Sequence, residues 1–305
     1  MEMRKVYTST LAKLMEKNDK IVILDADLAK ACGTNALYKQ FPNRCVDIGI
    51  AEANMVSIAV GLAHYGYIPF VHSFAPFVAR RAFDQIAVGC GYGQMPVVIV
   101  GTDPGVCATL NGGTHMCFED ISALRSVPNM LIFEPCDNAQ LEQALPQIIE
   151  RKAPSYLRLM RKEDYNIFPQ DYKFDLYTAD RLREGKDLTI VVSGFLTKDC
   201  ITVADKLSSQ GISVDLINVH TIKPLDQQTI INSAKKTNRV LVVENASMYG
   251  GLFGAVAETL SLAYPTKCAQ IAILDRIGQV GQLDELRKDY GLTEQDIFDK
   301  AKSLL

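Results

Sequence analysis

Apolar and polar positions along the chain follow two rhythms. Short runs that are apolar almost throughout, at 21–25 (IVILD), 68–74, 95–101, 129–134 and 155–159, predict buried strands of a mainly parallel sheet. Between them the apolar residues recur at helical spacing. Leu11, Leu14 and Met15 do so within 6–15, Met55, Val56, Ala59, Val60, Leu62 and Ala63 do so behind Glu52, and the stretches 77–88, 118–126 and 138–151 follow suit. Residues 43–48 read as a short connection and 89–94 as a glycine turn, while 101–113 form a polar, glycine-rich loop of a length that usually carries function. The alternation then repeats, with strands at 188–192, 213–219, 239–244 and 269–274 and helices at 199–210, 227–236 and 252–264. This order predicts an α/β protein of two doubly wound domains. The larger, mainly parallel one is expected over 1–165 and a smaller α/β domain over 187–305, joined by a linker over 166–186 whose polar character begins at Asp164.

Composition narrows the class. The chain has 305 residues, 48% hydrophobic and 22% charged, enough for two cores of an ordinary folded protein. A net charge of -3 argues against a nucleic-acid partner or an anionic membrane surface. The apolar runs are too short to span a bilayer, and the N-terminus has no signal-peptide pattern. Eight cysteines are scattered without a C-x-x-C pair and histidines number four, so we expect reduced thiols, a cytoplasmic location and no metal site formed by this chain alone.

The candidate chemistry lies where strands and helices meet. Glu52 opens its helix; by position it is either an acid favoured by the helix dipole or a carboxyl able to share a proton with a ligand nitrogen. Phe74 and Phe77 follow the 68–74 strand beside His72, Ser73, Arg80 and Arg81, and aromatics at this spacing serve either as core or as a ligand platform. Asp25 and Asp27 fall just past a strand end, where open α/β sheets tend to place binding groups. His115 sits in LNGGTHM, where Gly112 and Gly113 free the backbone to approach a ligand and Asn111 and Thr114 add polar groups. Arg4, Lys30 and Arg161 are phosphate candidates or plain surface charges. Neither a G-x-G-x-x-G nor a G-x-x-x-x-G-K-[ST] cradle is present, nor a G-x-S-x-G elbow.

Taken together, GIAEANMVSIAVGLA (49–63), PFVHSFAPFVARRAFDQI (69–86), GGTH (112–115), EDISALRSVPNMLIFEPCD (119–137), IKPLD (222–226) and GGLFGAVAE (250–258) resemble the pyrimidine-binding and C-terminal domains of transketolase. The resemblance runs over nearly the whole chain. It implies thiamine diphosphate as cofactor, with Glu52 matching the glutamate that bonds the aminopyrimidine N1′ and promotes deprotonation of thiazolium C2. Phe74 and Phe77 match the aromatic platform for the pyrimidine, and Asp27 falls where the family has an aspartate near the thiazolium. His115 matches a histidine that contacts the donor ketose, and Arg4 and Arg161 match arginines that hold the substrate phosphate. Three positions depart from the pattern: Asn111 replaces a frequent aspartate that contacts a substrate hydroxyl, Arg80 an aromatic, and Ala31 a phosphate-binding serine.

The G-D-G element of the family's diphosphate-binding domain is absent. The resemblance therefore implies one subunit of a split transketolase, working with an N-terminal transketolase subunit that holds the diphosphate and its Mg²⁺ or Ca²⁺. Two of each chain would form a heterotetramer acting on sugar phosphates. Two other readings stay open: the beta subunit of a 2-oxoacid dehydrogenase first component, and a non-catalytic module that kept the fold.

Overall fold

A computed structural model describes residues 1–162, 165–169 and 171–305. The polar stretch expected to begin the linker opens at Asp164, which lies outside the described residues. Among the described residues, twelve strands form two sheets. In chain order they are β1 (Ile21–Asp25), β2 (Cys45–Asp47), β3 (Ile68–Phe74), β4 (Val98–Thr102), β5 (Leu131–Phe133) and β6 (Ser155–Leu159), then β7 (Asp180–Arg183), β8 (Leu188–Val192), β9 (Val214–Asn218), β10 (Thr221–Lys223), β11 (Arg239–Ser247) and β12 (Lys267–Ile273).

The first sheet runs β10-β5-β6-β4-β3-β1-β2 and the second β12-β11-β8-β9-β7. Pairing is parallel except at one edge of each sheet, where β10 lies antiparallel to β5 and β7 antiparallel to β9. Helices cover both faces of the first sheet. Met3, Tyr7, Leu11 and Met15 of helix Met3–Lys17 pack with Leu141, Ala144, Leu145 and Ile148 of helix Asn138–Glu150 on one side. Met55, Val56, Ala59 and Ala63 of helix Glu52–His64 fill the other. Fully buried central strands such as IVILD follow from this two-sided cover.

Three expectations are corrected. Residues 45–47, expected within a connection, form the edge strand β2, paired to β1 with Asp25 opposite Asp47. The turn expected over 89–94 is largely absorbed into a π-helix, Ile86–Tyr92, and a second π-helix, Pro76–Arg80, leads into it. Asp180–Arg183, inside the expected linker, is a strand of the second sheet, held by Arg181 to the buried Asp215 at 3.3 Å. Past the last expected strand, residues 275–305 hold the helices Leu283–Asp289 and Glu294–Leu304, each opened by a capping box (Gln282 with Glu285, Thr293 with Asp296). Among the described residues no helix is long and apolar enough to cross a membrane.

A buried polar knot fixes one sheet against the other. Arg158 on β6 donates to Asp120 (2.8 Å), to Glu134 (2.5 Å) and to the carbonyl of Asn245 on β11 (2.7 Å). Ser193, just past β8, donates to the other oxygen of Glu134 at 2.6 Å. The β10 strand adds a backbone tie, because it follows β9 in sequence yet completes the first sheet.

Candidate active site

Glu52 begins helix Glu52–His64 with its side chain buried, and its Oε2 accepts from Nη1 of Arg81 at 2.7 Å. The Arg81 guanidinium lies 4.4 Å above the Phe77 ring and its side chain is 47% exposed, so it can leave. A flat N–H-bearing cation thus already lies between a buried carboxylate and an aromatic face. That arrangement fits a protonatable aminopyrimidine, the group the sequence resemblance calls for.

Phe74 ends β3, and Phe77 follows in the first turn of the π-helix Pro76–Arg80; their ring centroids are 6.1 Å apart. His115 meets both edge-on, at 5.8 Å from Phe74 and 5.1 Å from Phe77. Its Nδ1 is within hydrogen-bond distance of Thr114 Oγ1 at 2.9 Å, so Nε2 is the nitrogen left for a ligand. The glycines before it do a different task from the one expected. A Cβ on Gly113 would come within 2.2 Å of the Gly278 carbonyl oxygen, and one on Gly112, at φ +77°, within 2.8 Å of Val280. The pair seats this loop against the second domain rather than opening it to a ligand.

Arg80 holds the loop from the other side. It donates to Glu119 at 2.5 Å and to the carbonyl of Met116 at 3.3 Å. Burial pushes the Glu119 carboxyl up, but the Arg80 guanidinium and backbone N–H donors outweigh it and hold the group below its usual range. Arg80 therefore acts as a clamp.

Arg161 lies over the opposite side of the cluster, its Cζ 4.7 Å from the centre of the Phe74 ring. Its Nε donates to Asp103 at 2.6 Å, its Nη2 to the same oxygen, and its Nη1 to the Ala31 carbonyl at 2.9 Å. Arg4 reaches that same carbonyl at 3.2 Å, and its Nε pairs with Glu2 at 3.0 Å. The contacts therefore run continuously from Glu52 through Arg81, Phe77, His115, Phe74 and Arg161 to Arg4. Asp27 and Asn111 stand outside this chain of contacts. Asp27 is exposed in the left-handed region (φ +57°), with its backbone N–H on Asp47, and Asn111 is exposed at the end of the 3₁₀ segment Gly105–Asn111.

Three neighbours prove internal. His72 is fully buried; its Nδ1 faces the Leu24 carbonyl at 3.3 Å, so Nδ1 carries the proton and Nε2 accepts from the Tyr7 hydroxyl at 2.7 Å. Burial lowers its pKa, against the opposing field of Asp25. Asp25 itself is raised by burial and is satisfied by Thr34 and Tyr38. Cys32, behind Arg161, is pushed up to about 12, chiefly by burial, and stays an unreactive thiol. Sequence alone does not pair Arg81 with Glu52 or Asp103 with Arg161, because these pairings span 29 and 58 positions. Only Asp103 carries a readable signal, its place directly after β4.

The family model for the transketolase pyrimidine binding domain matches residues 1–165, and that for the transketolase C-terminal domain matches 178–297. A 6-deoxy-6-sulfo-D-fructose transketolase subunit, SqwH, from Clostridium sp. (strain MSTE9) is 43% identical over 98% of this chain and 93% of its own length. An apulose-4-phosphate transketolase subunit from Phocaeicola vulgatus (strain ATCC 8482) is 33% identical over 98% and 96%. Among solved structures, one described as a split gene transketolase, inactive beta4 tetramer, superposes with a TM-score of 0.90 at 36% identity, covering 100% of this chain and 99% of its own. The chain belongs to the transketolase family, as a subunit made of the pyrimidine-binding and C-terminal domains.

Proposed function

We propose that this chain is one subunit of a two-chain transketolase that moves a two-carbon ketol unit from a ketose to an aldose. An N-terminal subunit would supply the diphosphate-binding domain and hold most of the Mg²⁺ or Ca²⁺, in a heterotetramer of two plus two. The observation that carries the reading is the contact between buried Glu52 and the flat cation that Arg81 presents over Phe77. When bound, thiamine diphosphate would supply a centre that stabilises a carbanion beside the ketose carbonyl. Glu52 would hold the pyrimidine nitrogen in place of Arg81 and share its proton, while Phe74 and Phe77 would bound the ring. His115 would offer Nε2 to the donor's carbonyl and hydroxyl. Arg4 and Arg161 would face the sugar's anionic far end, with Asn111 on a hydroxyl and Asp27 toward the thiazolium. A sugar phosphate is the family's usual substrate, but a relative named for a sulfo-sugar makes any ketose with an anionic end a candidate. The cytoplasmic location belongs to the same reading and is supported by the scattered spacing of the eight cysteines, none of them in a C-x-x-C pair.

The test is hydrogen–deuterium exchange at thiazolium C2 in the reconstituted pair. Glu52→Gln should slow it by about 10²-fold or more, in the range general acid–base groups contribute. Near-normal exchange would remove Glu52 from this role.

A further inference from the structure

The two arginines at the expected anionic end of the sugar are not equally free. Arg4 pairs with Glu2 at the surface, where both side chains are partly exposed and the pair is readily exchanged. Arg161 pairs with Asp103 where both side chains are only 7% exposed. Asp103 is held there by more than its charge. One oxygen accepts the Arg161 backbone N–H at 3.2 Å, the other accepts the side chain, and the residue is locked at φ +50° with its own N–H on the Leu159 carbonyl. Breaking such a buried pair is costly, so an incoming anion meets it as a neutral unit.

We propose that Asp103 sets the charge class of the sugar this site accepts: a ketose whose far end carries one negative charge, in preference to a dianionic phosphate ester. The proposal rests on the transketolase reading, in which Arg4 and Arg161 face that end. Two of the five N–H groups of Arg161 remain for a ligand after its bonds to Asp103 and Ala31, so the pair still orients an anion. Its net charge is nil, however, and of the two arginines it is Arg4 whose positive charge can be freed. Lys5 leans on the same Glu2 at 3.6 Å, and Lys30 is exposed to solvent, where screening weakens its field. No hydroxyl is available at position 31 to take a third phosphate oxygen, since Ala31 offers only a carbonyl, already accepting from both arginines. A phosphate ester carries about -1.5 to -2 near neutral pH. Its second charge would lie against the Asp103 carboxylate, whereas a sulfonate brings one charge only.

The reconstituted two-chain enzyme tests this with D-fructose 6-phosphate and 6-deoxy-6-sulfo-D-fructose as donors. The expected kcat/KM favours the sulfonate by about tenfold, and Asp103→Asn should raise the phosphate relative to the sulfonate by about tenfold, mainly through KM. A wild-type preference for the phosphate would overturn the proposal, as would a variant that lowers both donors in equal proportion. Calorimetric titration of the complex with methanesulfonate and methyl phosphate reads the same preference without turnover. Failure of transfer from both donors would then count against the transketolase reading, while tighter binding of methyl phosphate would count against the role of Asp103.

Discussion

His115 shows how far single residues can be read from sequence and where that reading stops. Its place after a glycine pair marks it as a candidate, but not its packing against Phe74 and Phe77 at 5.8 and 5.1 Å. The consequence is quantitative. His115→Ala removes two edge contacts of about 0.5–1.5 kcal/mol each, so the platform loosens without collapsing. In the reconstituted enzyme, kcat/KM for the donor should fall by about 10²-fold, while cofactor affinity measured by calorimetry should weaken by no more than about tenfold. A collapse of cofactor affinity with donor KM unchanged would place His115 in the cofactor site instead. Glu52, Phe74 and Phe77 are legible because a helix start and a strand end are local features. Arg81 and Asp103 are not, since a salt bridge across 29 or 58 positions leaves no periodic trace.

Elements with one clear rhythm are the most legible. IVILD is β1, and Leu188–Val192 and Ser155–Leu159 fall within their expected bounds, because strands buried on both faces are mainly apolar. The edges are harder. CVD of β2 and DRLR of β7 are short and half-polar, since an edge strand faces solvent on one side. The boundary between the sheets is hardest, because β10 and the Arg158 knot join residues from both halves of the sequence. Arg158→Met tests that knot. It leaves Asp120 and Glu134 as buried acids without their shared cation, which costs about 3–5 kcal/mol. For a protein of this size the melting temperature should drop by roughly 6–15 °C in a calorimetric scan. A change below a degree or two would mean that the knot is replaceable by apolar packing.

At the scale of the molecule, burying charge between two sheets makes stability depend on pH. Glu244 on β11 is fully buried beside this knot, and its two oxygens accept the N–H groups of Leu252 and Phe253 at the start of helix Leu252–Ala263. Gly251 packs so closely that a Cβ there would fall 2.1 Å from Oε2, so water has no room to enter. Burial raises the pKa from 4.5 to about 7, while the two N–H donors and Arg158 pull it down without prevailing. The sign follows from proton counting. Between pH 4.5 and 7 the native state binds this proton and the unfolded state does not, so rising pH favours unfolding. The stabilisation is fully present below the unfolded value and is lost as pH rises through the folded one. A shift of this size corresponds to about 3 kcal/mol. Glu244→Gln keeps the volume and removes the titration, although its amide can accept from only one of the two N–H groups. In urea unfolding of both proteins, the stability of the wild type relative to the variant should therefore decline by about 3 kcal/mol from pH 4.5 to pH 7.5. A gap that stays constant across that range would show that Glu244 keeps the same protonation state in the folded and unfolded chain.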